Sequence, residues 1–293
     1  MTNERTPTLA ALPRTVIDAA VAQAFAEDLG LAGDLTTDAI IAPDWTATGV
    51  IAARNPGTVS GLDVAAAAFR YLDPTMTFAP RVSDGTRLAA GDVLAELSGN
   101  ARAMLTAERV ALNFLGRMCG IATLTREFAD LIAGTRASII DTRKTTPGLR
   151  AFEKFSVRAG GGMNHRIGLF DAVLIKDNHI ALAGGIGAAV EAARARAGHM
   201  VKIEVEVDTL DQLDELLALK VDAVLLDNMT PDTLAEAVRR VDDRMTTEAS
   251  GGVSLATVRA IAEAGVDLIS IGALTHSAPV LDLGLDCAVR KPG

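Results

Sequence analysis

Hydrophobic periodicity divides the chain in two. Residues 14–29 place Val16, Ile17, Ala20, Val21, Ala24 and Phe25 on one side of a 3.6-residue repeat, which predicts a helix. GDLTTDAII (33–41) reads as a turn with polar caps. Strand-like runs follow at 46–53, 57–61, 76–82 and 93–99, punctuated by Gly, Asp and Pro, with a short helix over 64–72. This mixture predicts an α+β domain over residues 1–115. Residues 102–133 are helical in period, and the stretch from Gly116 to Gly120 predicts two helices meeting at a domain junction.

Beyond the junction the pattern alternates. Strand runs at 137–141, 171–176, 201–207, 221–227, 245–250 and 266–272 are mostly separated by helical segments at 186–197, 209–218, 231–241 and 254–264. Alternating strand and helix implies a parallel sheet. Polar residues at the strand ends, and no G-x-G-x-x-G after an early strand, favour a barrel over a doubly wound open sheet. A seventh strand within 150–165 or an incomplete barrel are the two alternatives. The barrel segment is 116–276, and a tail of about 277–293 is expected to return to the first domain. In VKIEVEV, Val201, Ile203, Val205 and Val207 share one face and Lys202, Glu204 and Glu206 the other. The charged face then points into the barrel, with Lys202 and Glu204 expected as a structural ion pair and Glu206 at the mouth.

Charge changes the picture. The chain carries a net −9, which argues against nucleic acid or an anionic membrane as partner. Aromatics are only 3%, which gives no sign of base-stacking surfaces. Yet Arg143 to His179 holds seven Lys/Arg against three acids, a cation cluster suited to a small, highly anionic substrate. Two cysteines at no metal spacing fit a reducing cytoplasm. The polar opening MTNERTPTLAALPRT resembles no signal peptide, and no apolar run is long enough to span a membrane.

The strand ends of a barrel carry its chemistry. Read in order they are Asp141-Thr142-Arg143-Lys144, Lys176-Asp177-Asn178-His179, Glu206, Asp227-Asn228, Glu248 to Gly252, and Ile271-Gly272-Ala273. Cations thus face acids across one mouth. Ser250-Gly251-Gly252, ahead of a helix expected near Ser254, and the second small-residue turn at 271–273 suit a phosphate, because small residues let backbone N–H groups approach it. His199 reads as a solvated loop residue and His179 as a supporting or helix-capping group. Arg150, Lys154 and Arg158 would share a helix face, read as solvated or as a subunit contact. Zinc-protease, P-loop and serine-hydrolase motifs are absent.

EDLGLAGDLTTDAI (27–40), AERVALNFLGRMCGIAT (107–123), DTRKTTPGLR (141–150), GGGMNHRIGLFDAVLIKDNHI (160–180), EVEVDTLDQLDE (204–215), LLDNM (225–229), SGGVSL (250–255) and IGALTHSAPVLDLGLD (271–286) together resemble the quinolinate phosphoribosyltransferase family. The resemblance implies an incomplete TIM-like α/β barrel of the type II phosphoribosyltransferase kind, with an N-terminal α+β sandwich domain. It implies a homodimer with a shared active site, of which a higher oligomer is an extension. The implied reaction is Mg²⁺-dependent phosphoribosyl transfer from phosphoribosyl pyrophosphate to quinolinate with decarboxylation. It gives nicotinate mononucleotide, pyrophosphate and CO₂ in NAD biosynthesis.

Carried onto this chain, Arg143, His165, Arg166 and Lys176 would hold the quinolinate carboxylates, with Thr142 and Lys144 beside them and Arg109 reaching in from the other subunit. Glu206 and Asp227 would face the ribose hydroxyls and the Mg²⁺–pyrophosphate region, with no dedicated metal ligands. Glu206, Asp227 and Lys144 are the candidate catalytic groups. Ser250, Gly251, Gly252, Ile271, Gly272 and Ala273 would bind the 5′-phosphate, with His276 close by. The alternatives are a related transferase for another pyridine or pyrrole acid, and a non-catalytic anion-binding barrel.

Overall fold

The structure is a computed structural model that describes residues 9–291, so most of the polar stretch that opens the chain lies outside the described residues. Contacts divide the chain into two compact units. One takes the chain up to Leu124 with Ala151–Gly161 and the tail from Ala278; the other takes Thr125–Arg150 and Gly162–Ser277.

In the first unit, helix α1 (Arg14–Leu29) buries Ile17, Val21 and Phe25. The polar turn that follows is a helix of its own, α2 (Leu35–Ile40), because the Asp34 carboxylate accepts the Thr37 N–H at 2.9 Å and caps it. β1 (Thr46–Ala53), β2 (Gly57–Thr58), α3 (Leu62–Leu72), β3 (Thr77–Pro80), β4 (Arg87–Leu88) and β5 (Val93–Asn100) complete the α+β pattern. The tail supplies β12 (Leu283–Arg290), which pairs antiparallel along the whole of β1 in a sheet ordered β12-β1-β5-β3. The run of buried alanines 65–68 gives α3 a thin surface for close packing, and the Phe25 and Tyr71 rings stack 5.0 Å apart between α1 and α3.

The two helices expected over 102–133 are one, α4 (Ala101–Leu131). Gly116 and Gly120 do not break it; they thin it. A Cβ on Gly116 would come within 3.0 Å of the Leu281 carbonyl oxygen, and one on Gly120 would overlap the Pro279 carbonyl. The incoming tail takes the space that side chains would fill. Helix α5 (Arg150–Ala159) corrects a second expectation. Its 150/154/158 face is no solvated face: Lys154 is only 2% exposed. Beside it, buried Glu153 accepts from Arg117 Nη2 at 2.7 Å. Arg158 lies over the Phe155 ring, and Arg150 Nε donates to Thr145.

The second unit is a parallel sheet of β6 (Ser138–Ile140), β7 (Val173–Ile175), β8 (Ile203–Val207), β9 (Ala223–Asp227), β10 (Thr246–Ser250) and β11 (Leu268–Ser270), ordered β6-β11-β10-β9-β8-β7. Helices α6 (Asp177–Ala183), α7 (Ile186–Arg196), α8 (Leu210–Leu217), α9 (Pro231–Val241), α10 (Val258–Glu263) and α11 (Ala273–His276) connect or follow the strands. The barrel is incomplete. No seventh strand forms within 150–165; residues 150–159 are helical, and beyond the helix Met163 makes only a single parallel bridge to Ile140. Alternation in β8 is as expected: Ile203, Val205 and Val207 are buried against the helix layer. Lys202 precedes the strand and is exposed, so the anticipated Lys202–Glu204 pair does not form; Glu204 turns to His165 instead.

Candidate active site

Because the strands are parallel, their C-terminal ends gather on one side. β6 ends at Ile140, and the next residue, Asp141, is fully buried. Its carboxylate accepts the His165 backbone N–H at 2.9 Å and Asn164 Nδ2 at 2.5 Å. These charge-assisted bonds offset the cost of burying the charge and tie Thr142-Arg143-Lys144 to the Asn164-His165-Arg166 turn. Arg166 Nη1 donates to the Ala172 carbonyl at 3.1 Å. Burial, and then the like charge of Arg143, weaken the hold of the Arg166 guanidinium on its proton, which marks the two as neighbours. Arg143 Nε is buried with no hydrogen-bond partner. Two guanidiniums near enough to repel one another, one with an idle donor, suit a planar dianion.

Lys176 Nζ donates to Glu206 Oε2, so the first cation after β7 and the mouth-side acid of β8 are one pair. His179 caps α6 by accepting the Lys176 backbone N–H at 2.9 Å, the supporting role the sequence indicated. His199 is exposed beyond α7.

Thr142 and Lys144, on either side of Arg143, border a cavity of about 420 Å³. It is walled by Thr142, Lys144, Asp227, Asn228, the turn from Ser250 to Val253, the segment from Ser270 to Ala273, and His276. Asn228 adopts φ +54° and donates from Nδ2 to Asp227 Oδ2 at 2.6 Å, orienting that carboxylate. Gly251 has φ +92°, and a Cβ there would overlap the Asn228 side-chain oxygen. This turn therefore needs glycine on both counts. Helix α10 begins at Val258, a turn later than expected. At Gly272 a Cβ would come within 3.0 Å of the Lys144 side chain and 3.2 Å of His276 Nε2. The Lys144 carbonyl accepts from Thr275 Oγ1 at 2.7 Å, locking the first and last strand ends together.

Thr142, Lys144, Asp227, Ser250, Gly251, Gly252, Ile271, Gly272, Ala273 and His276 thus share one cavity. Arg143 and Arg166 stand together, and Lys176 pairs with Glu206. Arg109 lies exposed on α4 in the first unit. His165 turns inward: Nδ1 accepts the Arg166 N–H at 2.6 Å, and Nε2 lies 3.1 Å from Glu204 Oε2 and 3.5 Å from Glu248 Oε2. Sequence reasoning singled out neither Asn228 nor Glu248 as a site residue. The signal for Asn228 was its type and place, an asparagine just past a strand end, where left-handed backbone is tolerated. For Glu248 it was a charge among the buried residues of a strand.

An incomplete α/β barrel whose mouth sets paired guanidiniums against carboxylates and glycine turns is a phosphoribosyltransferase architecture. The chain belongs to the quinolinate phosphoribosyl transferase family: the model of the N-terminal domain matches residues 34–119 and that of the C-terminal domain residues 121–286. It is 45% identical over 267 residues to the probable carboxylating nicotinate-nucleotide pyrophosphorylase of Bacillus subtilis, covering 91% of this chain and 92% of that one. It is likewise 45% identical over 274 residues to the Mycobacterium leprae carboxylating nicotinate-nucleotide pyrophosphorylase, covering 91% and 95%. The crystal structure of NadC from Streptococcus pyogenes superposes with a TM-score of 0.93 at 38% identity, covering 96% of this chain and all of that one.

Proposed function

We propose that this chain transfers the phosphoribosyl group of phosphoribosyl pyrophosphate to quinolinate with loss of CO₂, giving nicotinate mononucleotide and pyrophosphate. The observation that carries the proposal is the Arg143–Arg166 pair, with its idle donor, in the same unit as a glycine-lined cavity that holds one oriented carboxylate. The guanidiniums take the quinolinate carboxylates, and the turns at 250–252 and 271–273 take the 5′-phosphate with His276 beside it. Lys176 adds a cation to the carboxylate side, and Thr142 and Lys144 line the way between. The quinolinate ring nitrogen then forms a bond to the anomeric carbon as the bond to pyrophosphate breaks. Asp227 and Glu206 stabilise the positive charge that develops on the ribose. With the ring nitrogen quaternary, the adjacent carbon–carboxylate bond breaks, CO₂ leaves and a proton takes its place; Lys144 is the candidate donor.

Magnesium fits as a passenger of the substrate. Among the described residues the one cluster of three metal-type ligands is His165–Glu204–Glu248, of which Glu248 is buried. The cavity itself offers Asp227, and Glu206 is committed to Lys176. Mg²⁺ keeps its waters and substrate oxygens in such settings and needs few protein ligands. Bound there, it would neutralise the departing pyrophosphate. We further infer a homodimer in which Arg109 serves the partner's mouth, and a cytoplasmic location. No helix among the described residues is long and apolar enough to cross a membrane.

The test is to supply quinolinate, phosphoribosyl pyrophosphate and Mg²⁺ and to follow nicotinate mononucleotide together with CO₂ released from the carboxylate beside the ring nitrogen. Equal amounts of both are expected. Nicotinate serving as well as quinolinate would overturn the dianion specificity, and no product with either acid would overturn the activity.

A further inference from the structure

His165 joins the mouth to the barrel interior, and its hydrogen bonds identify its chemical form. A neutral imidazole has one donor and one acceptor nitrogen. Nδ1 accepts the Arg166 N–H at 2.6 Å, so Nε2 is left as an N–H aimed between Glu204 and Glu248, at 3.1 and 3.5 Å. The ligand atoms of these three side chains lie within 4.8 Å of one another, close enough to consider a metal ion. A metal would need the Nε2 lone pair, and a ligating histidine gives its other ring N–H to an acceptor. Here Nδ1 faces a donor, so the group is arranged around protons.

Glu248 is 1% exposed, and its Oε1 is buried without a hydrogen-bond partner. Two ionised carboxylates this close in a buried pocket repel strongly. One proton between them removes the repulsion and makes one carboxyl a donor to the other. The remaining groups facing the pair leave that solution in place. Lys176 reaches toward it but is bonded to Glu206, and the Ser270 hydroxyl on β11 is a neutral neighbour.

We propose that Glu204 and Glu248, sharing one proton, are positioning residues for the carboxylate-binding arginines. They hold neutral His165 by its Nε2–H, and His165 in turn holds the Arg166 backbone N–H. The Arg166 guanidinium is thereby kept beside Arg143. His165 then acts on quinolinate through Arg166 rather than as a cation of its own. This rests on the phosphoribosyl-transfer reading above.

The experiment compares the native protein with Glu248→Gln and Glu248→Leu in initial-rate assays that vary each substrate separately. Glutamine reproduces the donor and acceptor of a neutral carboxyl; leucine reproduces neither. Glu248→Gln is expected to keep the KM for quinolinate within about threefold of native. Glu248→Leu should raise it about tenfold or more while the KM for phosphoribosyl pyrophosphate changes less than about threefold. In parallel, ¹⁵N-histidine NMR of the native protein, with the His165 signals assigned through His165→Gln, should show a neutral imidazole with its proton on Nε2 at neutral pH. An imidazolium at His165 overturns the proposal. So does a Glu248→Gln variant as impaired for quinolinate as Glu248→Leu, or an equal rise in both KM values. Failure of the parent reading looks different: the native protein then makes no nicotinate mononucleotide, while the NMR still reports the proton arrangement.

Discussion

Arg143 is where single-residue chemistry should be most visible. Its Nε is buried and lacks a partner, a state that costs free energy until an acceptor arrives. A charge-assisted bidentate contact is worth about 3 kcal/mol, so Arg143→Ala should weaken quinolinate binding by ~10²-fold in calorimetry. Near-native affinity would remove Arg143 from the site. Glu248 makes a prediction of the opposite kind. Burial first, and the neighbouring Glu204 second, push its pKa well above that of an ordinary glutamate. A carboxyl raised in this way binds its proton more tightly folded than unfolded. The stability it contributes is complete below the ordinary glutamate value and is lost as pH rises through the folded value. The native protein should therefore lose unfolding free energy relative to Glu248→Gln across that interval in urea titrations at stepped pH. Parallel curves for the two proteins would mean that Glu248 is ionised in the fold.

Helix α4 shows how packing overrules a local rule. In an exposed helix, Gly→Ala gains about 0.5–1 kcal/mol. At Gly120 the added methyl would overlap the Pro279 carbonyl. Overpacking of this kind costs about 1–3 kcal/mol, so Gly120→Ala should lower the urea midpoint despite the better helix former. An unchanged or raised midpoint would show that the tail does not press on the helix. The same element marks the limit of sequence reading. Strand and helix periods in 137–272 were legible because each element buries one face locally: β8 announces itself by Ile203, Val205 and Val207, and α9 by Leu234, Ala237 and Val241. Gly116 and Gly120 were misread because glycine signals either a break or a close approach, and only the distant residues 279–281 decide which. Lys154 and Glu153 were illegible for a related reason, since charge suggests solvent until a partner such as Arg117 is seen. Most of the mouth could be read directly, because a parallel strand must deliver its last residues there; the inward turn of His165 could not, because it depends on Glu204 and Glu248 from two other strands.

At the scale of the whole molecule the question is which chain completes a mouth. The strand-end residues all belong to the second unit, whereas Arg109 stands exposed on α4 in the first. A two-fold homodimer uses the same surface on both copies, so a residue lent to the partner is received back in kind. Under that arrangement Arg109→Ala and Glu206→Gln each disable both mouths of their own homodimer, but by different means. In a hybrid dimer, one mouth collects both defects and the other collects none. Random exchange at equal amounts makes half the dimers hybrids, so the mixture should recover about a quarter of native activity, from two preparations inactive alone. Exchange can be followed independently by native mass spectrometry of differently tagged chains. If hybrids form and activity stays at the level of the separate variants, Arg109 works with its own chain's mouth or with none, and the shared site is wrong.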